Sequence, residues 1–277
     1  MTFITVGAPV RFPAMAKVRL DTLLHRRGLF ESRARAAASV MAGEVRVGTA
    51  GERAAKPGQM VADDVAVALE ERPRFVSRGG IKLANALAAT GVDPAGRRAL
   101  DVGASTGGFT DCLLQHGAAH VVALDVAYGE LSWALRTDDR VTVIERRNAR
   151  ALTAADLPYA PDLIVADVSF ISLTKVLPAV LGCAAARFDA LAMVKPQFEV
   201  GRERLGKGGV VRDAADRRAA LVAVAAAARA AGAAVLGFAP SGLPGPKGNI
   251  ETFVWLGEGD RPGALDDLAA AAAGVEA

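Results

Sequence analysis

Residues 101–111 read DVGASTGGFTD, and the reading of this stretch decides the fold. An apolar run reaches Asp101, meets Gly103, passes a glycine pair at Gly107 and Gly108, and continues with helical spacing. Gly103 suits a tight turn, Gly107 and Gly108 would let the backbone approach a ligand, and the helix that follows would present its positive N-terminus. No Gly-Lys-Ser/Thr follows, so the turn is not a phosphate-cradling P-loop. Ser105 stands where a dinucleotide G-x-G-x-x-G carries its middle glycine. A nicotinamide or flavin site and a purely structural turn stay open as alternatives at this point.

Downstream of Arg97, apolar strands alternate with helical stretches: RRALDVGA, GGFTDCLLQHG, HVVALDV, ELSWALRTDD, RVTVIERRNA, PDLIVADVSF, LTKVLPAVLG and FDALAMVKPQF. This alternation predicts an α/β fold with a parallel, doubly wound sheet covered on both faces. Ligands in such sheets bind beyond the carboxyl ends of the strands, so candidate residues lie just after each strand. Asp101 precedes the turn and could hold an ammonium group. Asp125 ends the next strand and could accept from ribose hydroxyls.

With Gly103, Ala104, Ser105, Gly107, Gly108 and Phe109, these acids resemble the S-adenosylmethionine site of Rossmann-like methyltransferases. The resemblance implies a polar residue against adenine after the third strand, a role open to Asn148 with the Ala149 backbone beside it. Tyr128 and Gly129 are further candidates for the cavity wall.

Upstream, residues 17–73 look like a small separate α+β unit. VRLDTLLHRRG predicts a helix ending at Gly28, Ser32 caps a second helix that stops at Gly43, and EVRVG and DDVAVAL read as strands. Arg19, Arg26, Arg27, Arg33, Arg35 and Arg46 make this unit basic, the footprint of a phosphate-binding face. An ordinary solvated surface accounts for charge alone. The order of elements resembles the RNA-binding module named for ribosomal protein S-four (S4), which implies RNA contact. Residues 1–16 are expected to be a disordered extension, with Met15 a possible natural start. Residues 74–80 are expected to be an interdomain linker, 81–262 the main domain and 263–277 an Ala-rich tail.

Composition sets the outer bounds. The chain has 277 residues, 52% hydrophobic and 23% charged, with a net charge of +3, so it builds a core. Cys112 and Cys183 lie in apolar segments, which argues against a disulfide framework or a cysteine zinc site and favours a reducing cytoplasm. No metal-ligand set stands out. Ala219–Phe238 is mostly alanine with Arg229 in its middle, a poor membrane span.

Four charges remain to be explained. Lys82 falls near the start of a predicted helix, where a cation meets the positive end of the dipole. Asp167 follows the fourth strand in ADVSFIS, Lys195 follows the fifth in MVKPQFE, and Glu251 opens a late strand in GNIETFVWLG. Each alone reads as a surface charge. In type and position together they match the K-D-K-E set of FtsJ-like ribose 2′-O-methyltransferases.

Together with the S4-like unit and the stretches VSRGGIKL, DVSFISL and VKPQFEVGRERLGKGGVVRD, the chain resembles the TlyA group from Lys17 to about Leu256. That group carries both the hemolysin name and that of ribosomal RNA cytidine 2′-O-methyltransferases. The resemblance implies S-adenosylmethionine as cofactor, ribosomal RNA or ribosomal subunits as partner, and no membrane. A ribose hydroxyl is a poor nucleophile at neutral pH and needs a base and an in-line approach to the methyl group.

Lys195 is expected to activate the hydroxyl, since burial and a second cation both favour a neutral amine. Lys82 would supply that cation and steer the RNA, with Asp167 and Glu251 holding the lysines. Arg78, Arg202, Arg204 and Lys207 are expected to meet phosphates, the last three from a mobile glycine-rich lid over residues 199–213. A small-molecule methyltransferase and a membrane-active cytolysin stand as the alternatives.

Overall fold

In the computed structural model, which describes residues 17–69 and 73–275, the chain divides into two units between Pro73 and Arg74. The expectation of disorder over 1–16 lies outside the described residues. The first unit opens with β1 (Lys17–Arg19), α1 (Leu20–Arg26) and α2 (Arg33–Ala42). The Ser32 hydroxyl accepts from the Arg35 amide at 3.2 Å, and Gly43 ends α2 in the left-handed region (φ 77°), as the cap signals predict. Short strands follow: β2 (Val45–Val47), β3 (Glu52–Arg53), β4 (Met60–Ala62) and β5 (Val67–Leu69), pairing as β1–β4 and β3–β2–β5. Leu20, Leu24, Ala36, Val40, Val45 and Ala54 form its core.

The second unit is a seven-stranded sheet between helices. Its elements are α3 (Arg78–Thr90), β6 (Arg98–Val102), α4 (Gly108–Gln115), β7 (His120–Leu124), α5 (Trp133–Arg136), β8 (Val141–Ile144), β9 (Leu163–Ala166), α6 (Leu177–Leu181), β10 (Asp189–Val194), α7 (Pro196–Glu199), α8 (Ala214–Ala230), β11 (Ala233–Pro240), β12 (Thr252–Glu258) and α9 (Leu268–Val275). The strand order is β11-β12-β10-β9-β6-β7-β8. β12 runs antiparallel to both neighbours, while β8, β7, β6, β9 and β10 are mutually parallel. The order reverses between β6 and β9, which opens a crevice at the carboxyl ends of the strands. Apolar clusters cover both faces of the sheet, as near-continuous apolar strands require.

Two stretches expected outside the main domain belong to its packing. Phe75 is 3% exposed and sits in one of the two core clusters, while Arg78–Gly80 form the first turn of α3. Gly80 makes room for this, because a Cβ there would overlap the Phe75 ring. Residues 74–80 are therefore anchored in the second unit, and Phe75 is not exposed as a linker residue would be. Phe75→Ala is expected to cost about 3–5 kcal/mol, read as a fall in urea midpoint for the second unit. The Ala-rich C-terminal stretch likewise forms α9, with Leu268 and Ala272 buried against the core.

Opposite the crevice, at the β10 and β12 ends, Glu258 is buried. Burial opposes its ionisation, but hydrogen bonds from Arg187, Arg261 and the Phe188 amide outweigh that and hold the carboxyl at about 2. A depressed carboxylate stabilises the fold above its ordinary range, and that contribution disappears as pH falls toward 2. The drop in Tm between pH 5 and pH 2.5 should accordingly be smaller for Glu258→Gln than for the wild type.

Candidate active site

The turn at 101–111 has a steric logic that its glycines only partly disclose. Gly103 has φ 85°, and a Cβ there would lie 2.5 Å from the Asp167 carbonyl oxygen. Its lack of a side chain lets the β6 turn press against the segment leaving β9. Gly107 and Gly108, expected to admit a ligand, also admit protein, and Gly108 still lines a cavity. A Cβ at Gly107 would overlap Leu135 and one at Gly108 would overlap Ser77 Oγ, so these positions let the loop around α5 and the start of α3 close onto α4. Phe109 is buried 5.8 Å from Phe253, ring to ring.

Asp125 braces the turn from β7. Its Oδ2 accepts from the Ser105 amide and its Oδ1 from the Ala127 amide, both at 2.8 Å. Ser105, at φ 46°, is held further by its hydroxyl donating to Glu130 at 3.0 Å. A cavity of about 520 Å³ opens beside this clasp. Asp125, Glu130, Asn148 and Ala149 line it with Gly103 and Ser105, and Val126, Val168, Ile171 and Val176 supply apolar wall. Its size and its mix of apolar wall with a few convergent polar groups suit a nucleoside-bearing cofactor.

Asp101 differs from expectation. It is completely buried behind the turn, its Oδ2 accepting from Thr110 Oγ1 at 2.7 Å while Oδ1 has no partner among the described residues. Burial pushes its carboxyl up to about 7, against the Thr110 hydrogen bond. It is thus closed off from direct contact with an ammonium in this arrangement. Tyr128 is exposed under the Arg146 guanidinium, 4.3 Å from the ring centre, and does not line the cavity, while the Gly129 amide donates to Glu145.

A second cavity of about 450 Å³ brings Lys82, Asp167, Lys195 and Glu251 together. They arrive from four elements: Lys82 from α3, Asp167 just after β9, Lys195 as the N-cap of α7 just after β10, and Glu251 just before β12. Ala104 and Arg78 also line this cavity, and Arg78 donates to the Pro244 carbonyl at 3.0 Å. The two cavities share Gly103, Ser105, Asp167 and Ser169.

The lysines form two distinct pairs. Lys82 is bonded to Glu251 in a closed ion pair whose side chains are 8% and 1% exposed, so the unfavourable helix-start position of this cation is offset by a buried carboxylate. Lys195 pairs with Asp167 and donates to Ser169 Oγ at 3.0 Å, where the two cavities join. Ser169 has no signature in the sequence that separates it from any other loop serine.

The 199–213 loop also departs from expectation. Asn249, 2% exposed, accepts from the Val211 amide at 2.9 Å and donates to the Gly209 carbonyl at 3.0 Å. Glu199 accepts from Ser172 Oγ at 2.6 Å and the Leu173 amide at 2.9 Å. The loop is therefore pinned near both ends, with Arg202 and Lys207 exposed between and Arg204 paired to Asp216 at 3.2 Å.

In the first unit, Arg19 and Arg33 both pair with Asp21, at 2.7 and 3.5 Å. Arg26 pairs with Asp63, and Arg27 donates to the Asp63 and Val65 carbonyls at 2.6 and 2.8 Å. Arg35 is exposed and Arg46 half-buried. Among the described residues no His/Cys/Asp/Glu group could hold a metal ion, and no helix is long and apolar enough to cross a membrane.

The strand order, the glycine turn and the joined cavities at the switch point define a Rossmann-like, S-adenosylmethionine-dependent methyltransferase fold. The chain belongs to the FtsJ-like methyltransferase family, which it matches over residues 75–258, and carries an S4 domain over residues 18–65. It is 51% identical over 242 residues to the 16S/23S rRNA (cytidine-2′-O)-methyltransferase TlyA of Mycobacterium tuberculosis, covering 87% of this chain and 90% of that one. It is 43% identical over 248 residues to a provisionally named rRNA methyltransferase, YqxC, of Bacillus subtilis, covering 88% of each. A solved structure of a provisionally named hemolysin from Streptococcus thermophilus matches with a TM-score of 0.70 at 41% identity, covering 95% of this chain and 97% of that one.

Proposed function

We propose that this protein methylates the ribose 2′-hydroxyl of cytidine in ribosomal RNA of the small subunit, the large subunit or both, acting in the cytoplasm. The observation that carries the proposal is the convergence of Lys82, Asp167, Lys195 and Glu251 on one cavity that opens into the cavity beside Asp125. S-adenosylmethionine, when bound, supplies an electrophilic methyl group. Asp125 would receive its ribose hydroxyls, each carboxylate oxygen keeping lone-pair capacity beyond the one backbone bond it accepts. Asn148 and the Ala149 backbone would meet the adenine, and the valines and Ile171 would exclude water around it.

As the neutral amine, Lys195 would take the proton from the 2′-hydroxyl at its Nζ; as the ammonium it would orient and polarise that hydroxyl as attack begins. Asp167 holds Lys195 at the junction of the cavities, where acceptor oxygen and methyl group must align. Lys82, fixed by Glu251, places positive charge beside the incoming ribose and its phosphate. Arg19, Arg26, Arg27, Arg33, Arg35 and Arg46 of the first unit, with Arg78, Arg202 and Lys207 of the second, supply phosphate contacts that position RNA without reading its sequence.

The test is to incubate the protein with radiolabelled S-adenosylmethionine and separated ribosomal subunits or intact ribosomes, then map label on the RNA. Ribose label at cytidine is expected, and absence of ribose label on every substrate refutes the proposal. The hemolysin name of one solved relative favours a second reading as a membrane-active cytolysin. Liposome leakage that persists in Lys195→Ala would support it.

A further inference from the structure

We propose that Ser169 is a positioning residue for methyl transfer, its hydroxyl setting the direction in which Lys195 Nζ faces the acceptor oxygen. This rests on the reading of Lys195 as the activating group. Two side chains from the segment leaving β9 meet Nζ, and they meet it differently. Asp167 Oδ1 meets the ammonium as the opposite charge of an ion pair. Ser169 Oγ accepts from Nζ at 3.0 Å in an ordinary hydrogen bond.

The difference matters physically. Attraction between opposite charges depends mainly on distance and tolerates many orientations, whereas a hydrogen bond weakens steeply as its angle departs from linearity. The lysine amine is a compact charge on a flexible four-carbon stem with three rotatable donors. The charge of Asp167 therefore keeps Nζ in the neighbourhood without aiming it, and the Ser169 hydroxyl supplies the aim. With one N–H committed to Oγ, the face of Nζ left toward the cavities is restricted.

The location of Ser169 agrees with this. It lines both cavities, so its hydroxyl stands where the methyl group and the ribose oxygen must meet. Its chemistry agrees as well: a neutral acceptor orients the amine while favouring its charged form far less than a second carboxylate would. Glu199 bonds to Ser172 Oγ and the Leu173 amide, fixing the far end of the segment that carries Ser169.

The test compares Ser169→Ala, Ser169→Thr and Lys195→Ala in methylation of ribosomal subunits, with S-adenosylmethionine affinity measured by calorimetry. Misplacement of a reacting group by about 1 Å costs on the order of 10²-fold, so kcat in Ser169→Ala should fall about 10–100-fold. KM for the subunit and Kd for the cofactor should stay within about twofold, and Ser169→Thr, which keeps a hydroxyl, should recover most of kcat. A wild-type kcat in Ser169→Ala beside an inactive Lys195→Ala overturns the role of Ser169 alone. Equal losses in kcat and cofactor affinity, or no recovery in Ser169→Thr, overturn it too. Full methylation by Lys195→Ala refutes the reading on which it rests.

Discussion

Lys195→Ala should retain S-adenosylmethionine binding and lose methyl transfer by about 10²–10⁴-fold, the usual contribution of a positioned acid–base group. Lys195 is absent from the wall of the 520 Å³ cavity and present in that of the 450 Å³ one, so removing its amine takes no direct contact from the nucleoside site and reaches it only through Asp167 and Ser169. Lys195→Arg should be as inactive as alanine, because a guanidinium keeps its proton at any working pH and its planar fork does not match the position of an ammonium. Single-turnover methylation and calorimetric titration of the cofactor check both. Cofactor affinity lost in parallel with the rate would move Lys195 out of the activating role.

Glu251→Gln should destabilise the second unit by about 3–5 kcal/mol, because it leaves the ammonium of Lys82 buried without a counter-charge. The side-chain exposures of 8% and 1% place this pair among buried ion pairs rather than surface ones, which contribute little. The double variant Lys82→Met/Glu251→Met should recover most of that stability, since apolar replacement of a whole buried pair is often neutral. It should remain inactive if Lys82 steers the RNA. Urea unfolding of the three proteins, with methylation measured on the folded ones, separates the two effects. A double variant as active as wild type would make the pair purely structural. Loss of activity in Lys82→Ala alone would combine a missing cation with a stranded buried carboxylate.

Much of the fold could be read from local pattern. Ser32 and Gly43 bound α2 because a cap and a left-handed stop are properties of a few adjacent residues. The alternation of apolar strands with helices, and the glycine turn after β6, place Asp125, Asp167 and Lys195 at strand ends from the sequence alone. Local pattern failed where a residue's meaning depends on what packs against it from far along the chain. Gly108 lines the second cavity as a ligand-facing glycine would, but its missing side chain also accommodates Ser77, which nothing nearby in the chain signals. Phe75 follows a charged, proline-containing stretch and reads as linker, yet it is buried over Gly80. The basic 199–213 loop reads as a lid, and Asn249, folded against it, with Glu199 bonded to Ser172 and Leu173, shows that it is pinned.

The sequence by itself determined the class of fold and the presence of a basic N-terminal unit, because periodicity, caps and strand-end chemistry are encoded over short spans, and its resemblance to FtsJ-like enzymes singled out four charged candidates. Tertiary structure alone decided how those charges are shared. Lys82 finds Glu251 across 169 positions, β12 reverses to bring that carboxylate to the crevice, and Lys195 meets both Asp167 and Ser169 because β9 and β10 are neighbours in the sheet. Ion pairs and hydrogen bonds act over a few ångströms of space, and distance in space is set by the packing of the whole sheet rather than by spacing along the chain.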